Sequence, residues 1–340
     1  MIYIKSREGL YLSNYKVFMT DMAFQDTEIE QAELAIAGAE LFLASGSDPK
    51  TLAREGKDCD AMIIGYAPIT AEVIESLAKC KVMVRVGIGY DNIDLEAASR
   101  RGIMVANIPD YCQDEVADHA MALFLSGVRK VTFLNNRVKD GSWDVNEAKP
   151  IPRLRGKLFG VFGLGSIGQR VAERAKAFSM EVCSFDPFIS QKVFDNLGVK
   201  RFYNFNDFLA SIDFLSIHAP HTEETKHIIN LQNLKKMKRT AFIVNTSRGP
   251  LINEDDLYVA LKEGIISGAG LDVLENEPPT YPFPLAELNN IILTPHAAFY
   301  SEESELELRR KTGQEIVCAI KEGRPKYWVN KKMMEQIGTA

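Results

Sequence analysis

The chain has 340 residues, of which 46% are hydrophobic and 25% are charged, and its net charge is −6. This length favours two domains, and the composition excludes a disordered chain, which needs low hydrophobicity and high net charge. Lysine and arginine form no long basic run, so the charge pattern argues against nucleic-acid binding. No stretch reaches 18 consecutive apolar residues, so we expect no membrane span.

The cysteines are few and widely scattered, and no two of them form a CxxC pair. They are Cys59, Cys80, Cys112, Cys183 and Cys318. An odd set without paired spacing argues against a disulfide framework or a zinc ribbon. The first twenty residues also lack the charged, apolar and small-residue order of a secretory signal. We therefore predict a protein of the reducing cytoplasm.

Short apolar runs alternate with helical patterns along the chain. Their uniform apolarity is typical of parallel strands that are buried on both faces. The predicted strands are Ala61–Gly65, Lys81–Val86, Leu158–Phe162, Glu181–Phe185, Phe214–Ile217, Ala241–Asn245, Gly268–Val273 and Asn290–Thr294. Alternation of such strands with helices predicts an α/β fold with doubly wound sheets.

Three helical patterns stand out, the first of them from Asp114 to Val131. A second has a predicted buried face made of Ile167, Val171, Ala175 and Phe178. A third runs from Ser301 to Lys321, with a predicted face made of Leu308, Thr312, Ile316, Ala319 and Ile320. Residues at such three- and four-residue intervals line one side of a helix. On pattern alone, the border between two α/β units lies near the first of these helices.

The sharpest motif is the glycine-rich sequence Gly163-Leu164-Gly165-Ser166-Ile167-Gly168, which lies between a predicted strand and a predicted helix. In this context a GxGxxG sequence predicts a dinucleotide site. Gly163 permits a tight turn, Gly165 lets a pyrophosphate approach the backbone, and Gly168 lets the helix pack on the strand. The free N–H groups at the helix start, where Ser166 and Ile167 lie, favour phosphate.

An acidic residue, Asp186, ends the next predicted strand, 18 residues after Gly168. A carboxylate there accepts hydrogen bonds from a ribose 2′-hydroxyl and repels a 2′-phosphate, so we predict NAD rather than NADP. FAD and S-adenosylmethionine share the glycine signature, and a glycine-rich turn without a ligand is the plainer alternative. FAD usually takes such a loop at the extreme N-terminus, whereas this one begins beyond residue 160.

Three polar residues follow later predicted strands and suit hydride-transfer chemistry. Arg248 can grip a carboxylate and polarise a carbonyl group, and His296 can exchange a proton near neutral pH. Glu277 would hold the imidazole in one tautomer and stabilise its charged form, although Glu275 is a rival for that role. The plainer alternatives are a surface arginine, a packed histidine and a solvated acidic loop.

The segment HAPHTEETKH contains the histidines His218, His221 and His227, which invite a metal-binding interpretation. No cysteine accompanies them, Pro220 interrupts them, and no HExxH motif occurs. We therefore interpret the segment as a loop beside the cofactor, and we predict no metal site.

Taken in order, the glycine motif, Asp186, HAPHT, NTSRG, LDVLENEP and TPHAA resemble the D-isomer-specific 2-hydroxyacid dehydrogenase family over nearly the whole chain. The resemblance implies two Rossmann-like domains, with the NAD-binding domain inserted into a flavodoxin-like substrate domain. Residues 1–107 and 298–340 would form the substrate domain, and residues 108–297 the NAD-binding domain. The simple border near Asp114 then gives way to a crossover helix.

The resemblance also implies roles for individual residues. Arg248 would bind the substrate, His296 would be the general acid and base, and Glu277 its partner. Cofactor contacts would come from the glycine motif with Ser166 and Ile167, and from Asp186, Ala219, Pro220, Thr246, Ser247, Arg248, Asp272, His296 and Ala297. Substrate contacts would come from Tyr66, Arg85, Gly87, Ile88 and Phe299.

Within the family, the chain resembles the C-terminal-binding-protein-like and phosphoglycerate dehydrogenase-like branch. The segments that carry this likeness are DYC, EVADH and HAAFYSEES. Phe299 replaces a tryptophan of the corepressor in that group, and His221 replaces a common leucine. The expected activity is NAD-dependent interconversion of a small 2-oxoacid and a D-2-hydroxyacid by a homodimer. An NAD-sensing, corepressor-like binding protein with little turnover is the alternative.

Overall fold

Two units make up the chain, and the second is inserted into the first. The computed structural model describes residues 14–339 and the backbone of Tyr3–Ser6 and Gly9–Leu12. The first unit is Met1–Tyr111 with Ser301–Ala340, and the second is Cys112–Tyr300. Each contains a sheet of parallel strands, which confirms the predicted α/β class.

The first unit begins with the antiparallel pair β1 (Tyr3–Ser6) and β2 (Gly9–Leu12). Its parallel strands are β3 (Tyr15–Met19), β4 (Ala39–Leu43), β5 (Ala61–Ile64), β6 (Val82–Arg85) and β7 (Met104–Ala106). The helices between them are α1 (Glu28–Ala35), α2 (Pro49–Glu55), α3 (Ala71–Ser76) and α4 (Leu95–Arg100). The spatial order β4-β3-β5-β6-β7 is the flavodoxin-like order. All its strands are parallel, and the order in which they are added to the sheet reverses between β3 and β5.

The second unit opens with helices α5 (Gln113–Val128) and α6 (Val131–Lys139). Its strands are β8 (Leu158–Phe162), β9 (Glu181–Phe185), β10 (Lys200–Phe202), β11 (Phe214–Ile217), β12 (Phe242–Asn245), β13 (Gly268–Leu271) and β14 (Ile291–Leu293). Its other helices are α7 (Ser166–Ala177), α8 (Gln191–Leu197), α9 (Phe205–Ser211), α10 (Leu231–Leu234) and α11 (Glu254–Lys262). The order β10-β9-β8-β11-β12-β13-β14 is that of a dinucleotide-binding sheet. The order in which strands are added to this sheet reverses between β8 and β11.

The chain then returns to the first unit through α12 (Glu302–Glu322) and α13 (Lys331–Ile337). Ser301 opens α12 with a capping box in which Ser301 and Ser304 exchange side chain to backbone hydrogen bonds. Gly323 ends the helix in the left-handed conformation.

Helix α5 packs against the sheet of the second unit at a place where two glycines make room for it. A Cβ atom on Gly127 would lie 2.0 Å from the Phe242 ring, and one on Gly270 would lie 3.0 Å from Leu123 Cβ. The helix therefore rests directly on β12 and β13.

The eight predicted strands are confirmed, with ends that differ by at most two residues. The sequence patterns did not predict β1, β2, β3, β4, β7 or β10. The last three are edge strands, and β4 and β10 keep partly exposed positions that break the apolar pattern. The predicted place of Phe178 on the buried face of its helix is wrong, because this residue follows α7 and is 43% exposed. The first predicted helix is interrupted at Lys130, whose φ is 55°, before α6 begins.

Candidate active site

The glycine loop joins β8 to α7 at the point where the strand order of the second sheet reverses, between β8 and β11. Gly163 has a φ of 90°, and a Cβ atom on it would lie 2.6 Å from Ala219 N. A Cβ atom on Gly168 would lie 2.1 Å from Gly163 O, whereas one on Gly165 would meet nothing within 4 Å. The fold itself thus requires the first and last glycines, while Gly165 leaves open space above the start of α7, at Ser166 and Ile167.

Asp186 lies beside this loop, directly after β9. One oxygen of its carboxylate accepts a hydrogen bond from Leu164 N at 2.8 Å, and the other accepts bonds from Phe188 N at 2.9 Å and Ile189 N at 3.2 Å. The carboxylate is therefore held against the glycine loop, at the distance along the chain that the motif predicts.

The loop after β12 meets the loop after β11 next to Gly163. Ser247 Oγ donates a hydrogen bond to Ala219 O at 2.6 Å, and Thr225 Oγ1 donates to Pro220 O at 2.7 Å. Thr246 is 8% exposed, and among the described residues its buried hydroxyl has no hydrogen-bond partner. A buried hydroxyl without a partner is costly, so Thr246 is suited to a ligand that supplies one.

His296 and Glu277 form a close pair behind β13 and β14. His296 Nδ1 lies 2.6 Å from Glu277 Oε2, and Leu274 N donates a hydrogen bond to Glu277 Oε1 at 2.8 Å. Burial raises the pKa of Glu277, but the hydrogen bond and charge of His296, the Leu274 N–H and the charge of Arg248 outweigh it, so the net pKa is lowered. The carboxylate is therefore ionised at neutral pH and can support an imidazolium.

Arg248 belongs to the same group, because its charge acts on Glu277. Its Nη1 donates a hydrogen bond to Ser247 O at 2.7 Å, and its own carbonyl accepts one from Asn245 Nδ2 at 2.8 Å. Asn245 is fully buried at the end of β12 and also accepts a hydrogen bond from Ser247 N. The sequence patterns did not single out this asparagine, although its polar side chain in an apolar strand was an available signal.

Asp272 organises the turn that carries His296. Its carboxylate accepts hydrogen bonds from Thr294 Oγ1 at 2.6 Å, Ala297 N at 2.9 Å and Ala298 N at 2.9 Å. Burial raises the pKa of Asp272, but these bonds and one from His119 lower it below its usual range. The Phe299 ring meets the His296 ring edge to face, with centroids 6.4 Å apart.

The remaining predicted substrate residues belong to the first unit. Tyr66 follows β5 and is 59% exposed, and the guanidinium carbon of Arg85 lies 5.7 Å from the centre of its ring. Gly87 has a φ of 139° that favours glycine, and the Ile88 carbonyl accepts a hydrogen bond from Asn107 at 2.6 Å. The structure thus brings these four residues together within that unit.

The sequence patterns missed the residue that holds the Tyr66 loop in place. Asp21, the second residue after β3, accepts hydrogen bonds from Gly65 N at 3.2 Å, Tyr66 N at 2.7 Å and Ala67 N at 3.3 Å. No motif signalled this role, since the aspartate lies more than forty residues before the loop that it holds.

The three histidines of HAPHTEETKH have separate surroundings. His218 Nε2 lies 2.7 Å from Ser216 Oγ, and burial lowers the pKa of His218 to about 3, so its ring is neutral at pH 7. His227 Nε2 lies 3.2 Å from Glu275 Oε1, which separates this glutamate from the His296 pair. His221 Nε2 is buried with no partner among the described residues.

Within the described part of the chain, no three His, Cys, Asp or Glu side chains converge to hold a metal ion. In the same part, none of the helices combines the length and apolarity that a membrane crossing requires.

Comparison with known proteins gives a consistent result. Residues 121–298 match the model of the D-isomer specific 2-hydroxyacid dehydrogenase, NAD binding domain. A D-3-phosphoglycerate dehydrogenase of Methanocaldococcus jannaschii is 40% identical over 291 residues, which are 85% of this chain and 54% of that protein. The chain thus spans about half the length of that relative.

A glyoxylate reductase of Korarchaeum cryptofilum is 39% identical over 292 residues, which are 84% of this chain and 87% of that protein. Among solved structures, a D-lactate dehydrogenase from Aquifex aeolicus, complexed with NAD and lactic acid, superposes with a TM-score of 0.83 at 27% identity. That match covers 92% of this chain and 99% of the other.

Proposed function

Because this chain belongs to the D-isomer specific 2-hydroxyacid dehydrogenase family, we propose that it is an NAD-dependent oxidoreductase that interconverts a 2-oxoacid and a D-2-hydroxyacid. The observation that carries the proposal is the His296–Glu277 pair with Arg248 beside it. These three residues follow the carboxyl ends of strands in the sheet that contains β8, the strand leading into the glycine loop. Ligands of such sheets bind at the carboxyl ends of the strands.

The residues of the second unit fit a dinucleotide. Open space above Gly165 admits a pyrophosphate against the start of α7, and the buried Thr246 hydroxyl lacks a partner among the described residues. Asp186 would accept hydrogen bonds from the adenosine ribose, which favours NAD over NADP. The other proposed contacts are Ala219, Pro220, Ser247, Asp272 and Ala297. When bound, the nicotinamide supplies or accepts the hydride.

His296 is the proposed proton donor for reduction and the proton acceptor for oxidation. Glu277 bonds its Nδ1 and thereby leaves Nε2 to exchange the proton with the substrate oxygen. The ionised carboxylate stabilises the imidazolium form. Arg248 would hold the substrate carboxylate through its planar guanidinium group and polarise the carbonyl.

Tyr66, Arg85, Gly87 and Ile88 remain proposed substrate contacts, and so does Phe299. Tyr66 follows β5, Arg85 is the last residue of β6, and Gly87 and Ile88 come just after β6, so these four lie at the carboxyl ends of neighbouring strands of the first unit. The hydrogen bonds of Asp21 and Asn107 hold their loops in defined conformations. Preorganised loops of this kind suit recognition of a small anion.

The test is to follow oxidation of NADH, and in parallel of NADPH, with glyoxylate, hydroxypyruvate, pyruvate and larger 2-oxoacids. We expect turnover with NADH, and we expect His296→Ala and Glu277→Gln to lower kcat by about 100-fold or more. NADH affinity should stay within about threefold of the wild type, since neither change removes a phosphate contact. Glu277 has a lowered pKa, so its own titration should leave the rate unchanged between pH 5 and 8.

One result would contradict this function, and a second would contradict the role of His296. Wild-type protein that binds NADH but reduces none of the acids would favour a binding role instead. Equal losses of turnover and NADH affinity in the His296 variant would remove this residue from the proton-transfer step. A matched control is His227→Ala, which changes an imidazole outside the proposed proton path.

We also propose that the protein forms a homodimer through α6 and the segment that follows it. None of the nine residues of α6 is buried, and four large apolar side chains are exposed on it or just beyond it. They are Val131 (55% exposed), Val138 (47%), Trp143 (89%) and Val145 (66%). Apolar groups gathered in this way mark contact surfaces.

Light scattering tests this proposal and should give the mass of a dimer. The double variant Val138→Lys with Trp143→Lys should be monomeric. A monomeric wild type would contradict the proposal.

A further inference from the structure

We infer that His119, on helix α5, is a positioning residue for the proposed proton-transfer group. The imidazole of His119 holds Asp272 and Thr294, and through them it holds the turn that carries His296. This inference rests on the proposed function, because it assigns His119 a part in the same reaction. In the described part of the chain, His119 pairs with Thr294 and Asp272 and not with His296 or Glu277, so its effect is indirect.

The packing of α5 on β13 brings His119 to this place. Gly270 permits the helix to approach until a Cβ atom at that position would lie 3.0 Å from Leu123 Cβ. His119 precedes Leu123 by one helical turn and so shares its face. Asp272 follows Gly270 by two residues and so points to the same side of the strand line. The contact that brings the helix close therefore also sets the imidazole over the carboxylate.

Hydrogen-bond accounting assigns the proton on this imidazole. His119 Nε2 lies 3.0 Å from Thr294 Oγ1 and 3.4 Å from Asp272 Oδ1. Thr294 Oγ1 donates its single proton to Asp272 Oδ1 at 2.6 Å, so toward His119 it can only accept. Nε2 must therefore carry a proton and donate it toward both oxygens.

The group that His119 supports determines the conformation of the His296 turn. Asp272 accepts hydrogen bonds from Ala297 N and Ala298 N, and its carbonyl accepts one from His296 N at 2.8 Å. His296 has a φ of 52°, a left-handed conformation that costs a non-glycine residue free energy. We call the hydrogen bonds that Asp272 accepts from Ala297 N, Ala298 N and His296 N the Asp272 clamp, and this clamp keeps the turn in that conformation. The N–H group of His119 keeps the Asp272 carboxylate of the clamp oriented.

Three variants at position 119 separate the donor from the bulk of the side chain. Glutamine places an amide N–H at about the reach of Nε2, asparagine places it at about the reach of Nδ1, and methionine supplies no donor. We expect His119→Asn and His119→Met to lower kcat about tenfold, and His119→Gln to stay within about threefold of the wild type. NADH affinity should fall by no more than about threefold in all three, because the clamp includes the proposed cofactor contacts Asp272 and Ala297 but lies outside the glycine loop that is proposed to hold the pyrophosphate.

Two further measurements distinguish positioning from general destabilisation. With NADH deuterated at the transferred position, the isotope effect on kcat should rise in the Asn and Met variants, because hydride transfer becomes slower than the other steps. Hydrogen exchange of the amides of residues 294–298 should accelerate in the same two variants, and this measurement needs no turnover.

A double variant tests whether His119 acts through Thr294. The kcat of Thr294→Val should match that of His119→Met, and the kcat of the double variant should be little lower.

Equal kcat values in the wild type and all three variants would overturn the inference. So would equal losses in Gln, Asn and Met with an unchanged isotope effect, because the donor would then be irrelevant. Absence of turnover in the wild type contradicts the proposed function instead. In that case unchanged exchange at residues 294–298 in His119→Met overturns the inference, and faster exchange confirms the clamp.

Discussion

At the scale of single residues, the glycine loop shows two different reasons for the same amino acid. Gly163 and Gly168 face backbone atoms of the protein itself, at distances that no Cβ atom can occupy. A Cβ atom on Gly165 would meet nothing within 4 Å. The fold therefore explains two of the three glycines, and the proposed approach of a pyrophosphate to the helix start accounts for the third.

This difference predicts opposite outcomes for two small substitutions. Gly168→Ala should lower the free energy of unfolding by about 2 kcal/mol or more, because Gly163 O is backbone and cannot move aside. Gly165→Ala should leave that free energy within about 0.5 kcal/mol but weaken NADH binding at least about tenfold. Urea unfolding and a fluorescence titration with NADH measure the two effects. Normal NADH affinity in Gly165→Ala would show that no phosphate approaches this position.

At the scale of elements, helix α12 combines a predicted apolar face with a buried ion pair. Leu308, Thr312, Ile316 and Ala319 are buried as the pattern predicts, and Ile320 is half-buried. Arg309 is also buried, and its guanidinium donates to Glu30 on α1 at 2.9 and 3.0 Å and to Asp26 at 2.6 Å. Hydrogen bonding to Glu30 is the main reason why the pKa of Arg309 is raised. The pair fixes which face of α12 meets α1.

Breaking this pair should be more harmful than removing it entirely. Arg309→Met leaves Glu30 buried without its cation and should lower the free energy of unfolding by about 3 kcal/mol or more. Adding Glu30→Leu should recover at least about half of that loss, because neither member of the pair then remains as a buried charge without its partner. Arg310→Met is the control, since this neighbouring arginine is exposed. Equal losses from the single and double variants, measured by urea unfolding, would contradict this account.

At the scale of the whole molecule, each unit has a core of its own. One large apolar cluster of the first unit is built around Met62, Ile64, Ile74 and Met83, all between β3 and β7. Two clusters of the second unit lie on the two faces of its sheet, around Phe208 and Ile243 and around Phe124 and Phe159. Each cluster draws its residues from one unit alone.

The second unit should therefore fold when it is produced by itself. We expect a fragment of residues 112–300 to unfold cooperatively in urea and to bind NADH within about tenfold of the full chain, since the glycine loop and Asp186 belong to it. The same fragment with Gly165→Ala is the control for specific binding, since we expect this change to weaken NADH binding without destabilising the fold. A fragment with no cooperative transition would show that its core depends on the first unit.

Much of the fold follows from local sequence, because the causes lie within a few residues of each other. Apolar runs of four to six residues mark the strands of both sheets, and the strand, glycine loop and helix from Leu158 to Ala177 were predicted from spacing alone. The edge strands β4 and β10 were not, since a strand with one open side need not be apolar, and β7 was missed although its three residues are apolar. The insertion of one unit into the other was implied by family resemblance, and no local pattern indicated it.

The sequence by itself determined which residue types are available for the proposed chemistry and that they follow strand ends. Only the tertiary structure decided which of them meet. In the structure His296 pairs with Glu277, whereas Glu275 pairs with His227. The tertiary structure also joined His119 to Thr294 across 175 residues and Arg309 to Glu30 across 279. Hydrogen bonds and ion pairs require contact between specific atoms, and the packing of distant elements creates that contact without leaving a period or spacing in the sequence.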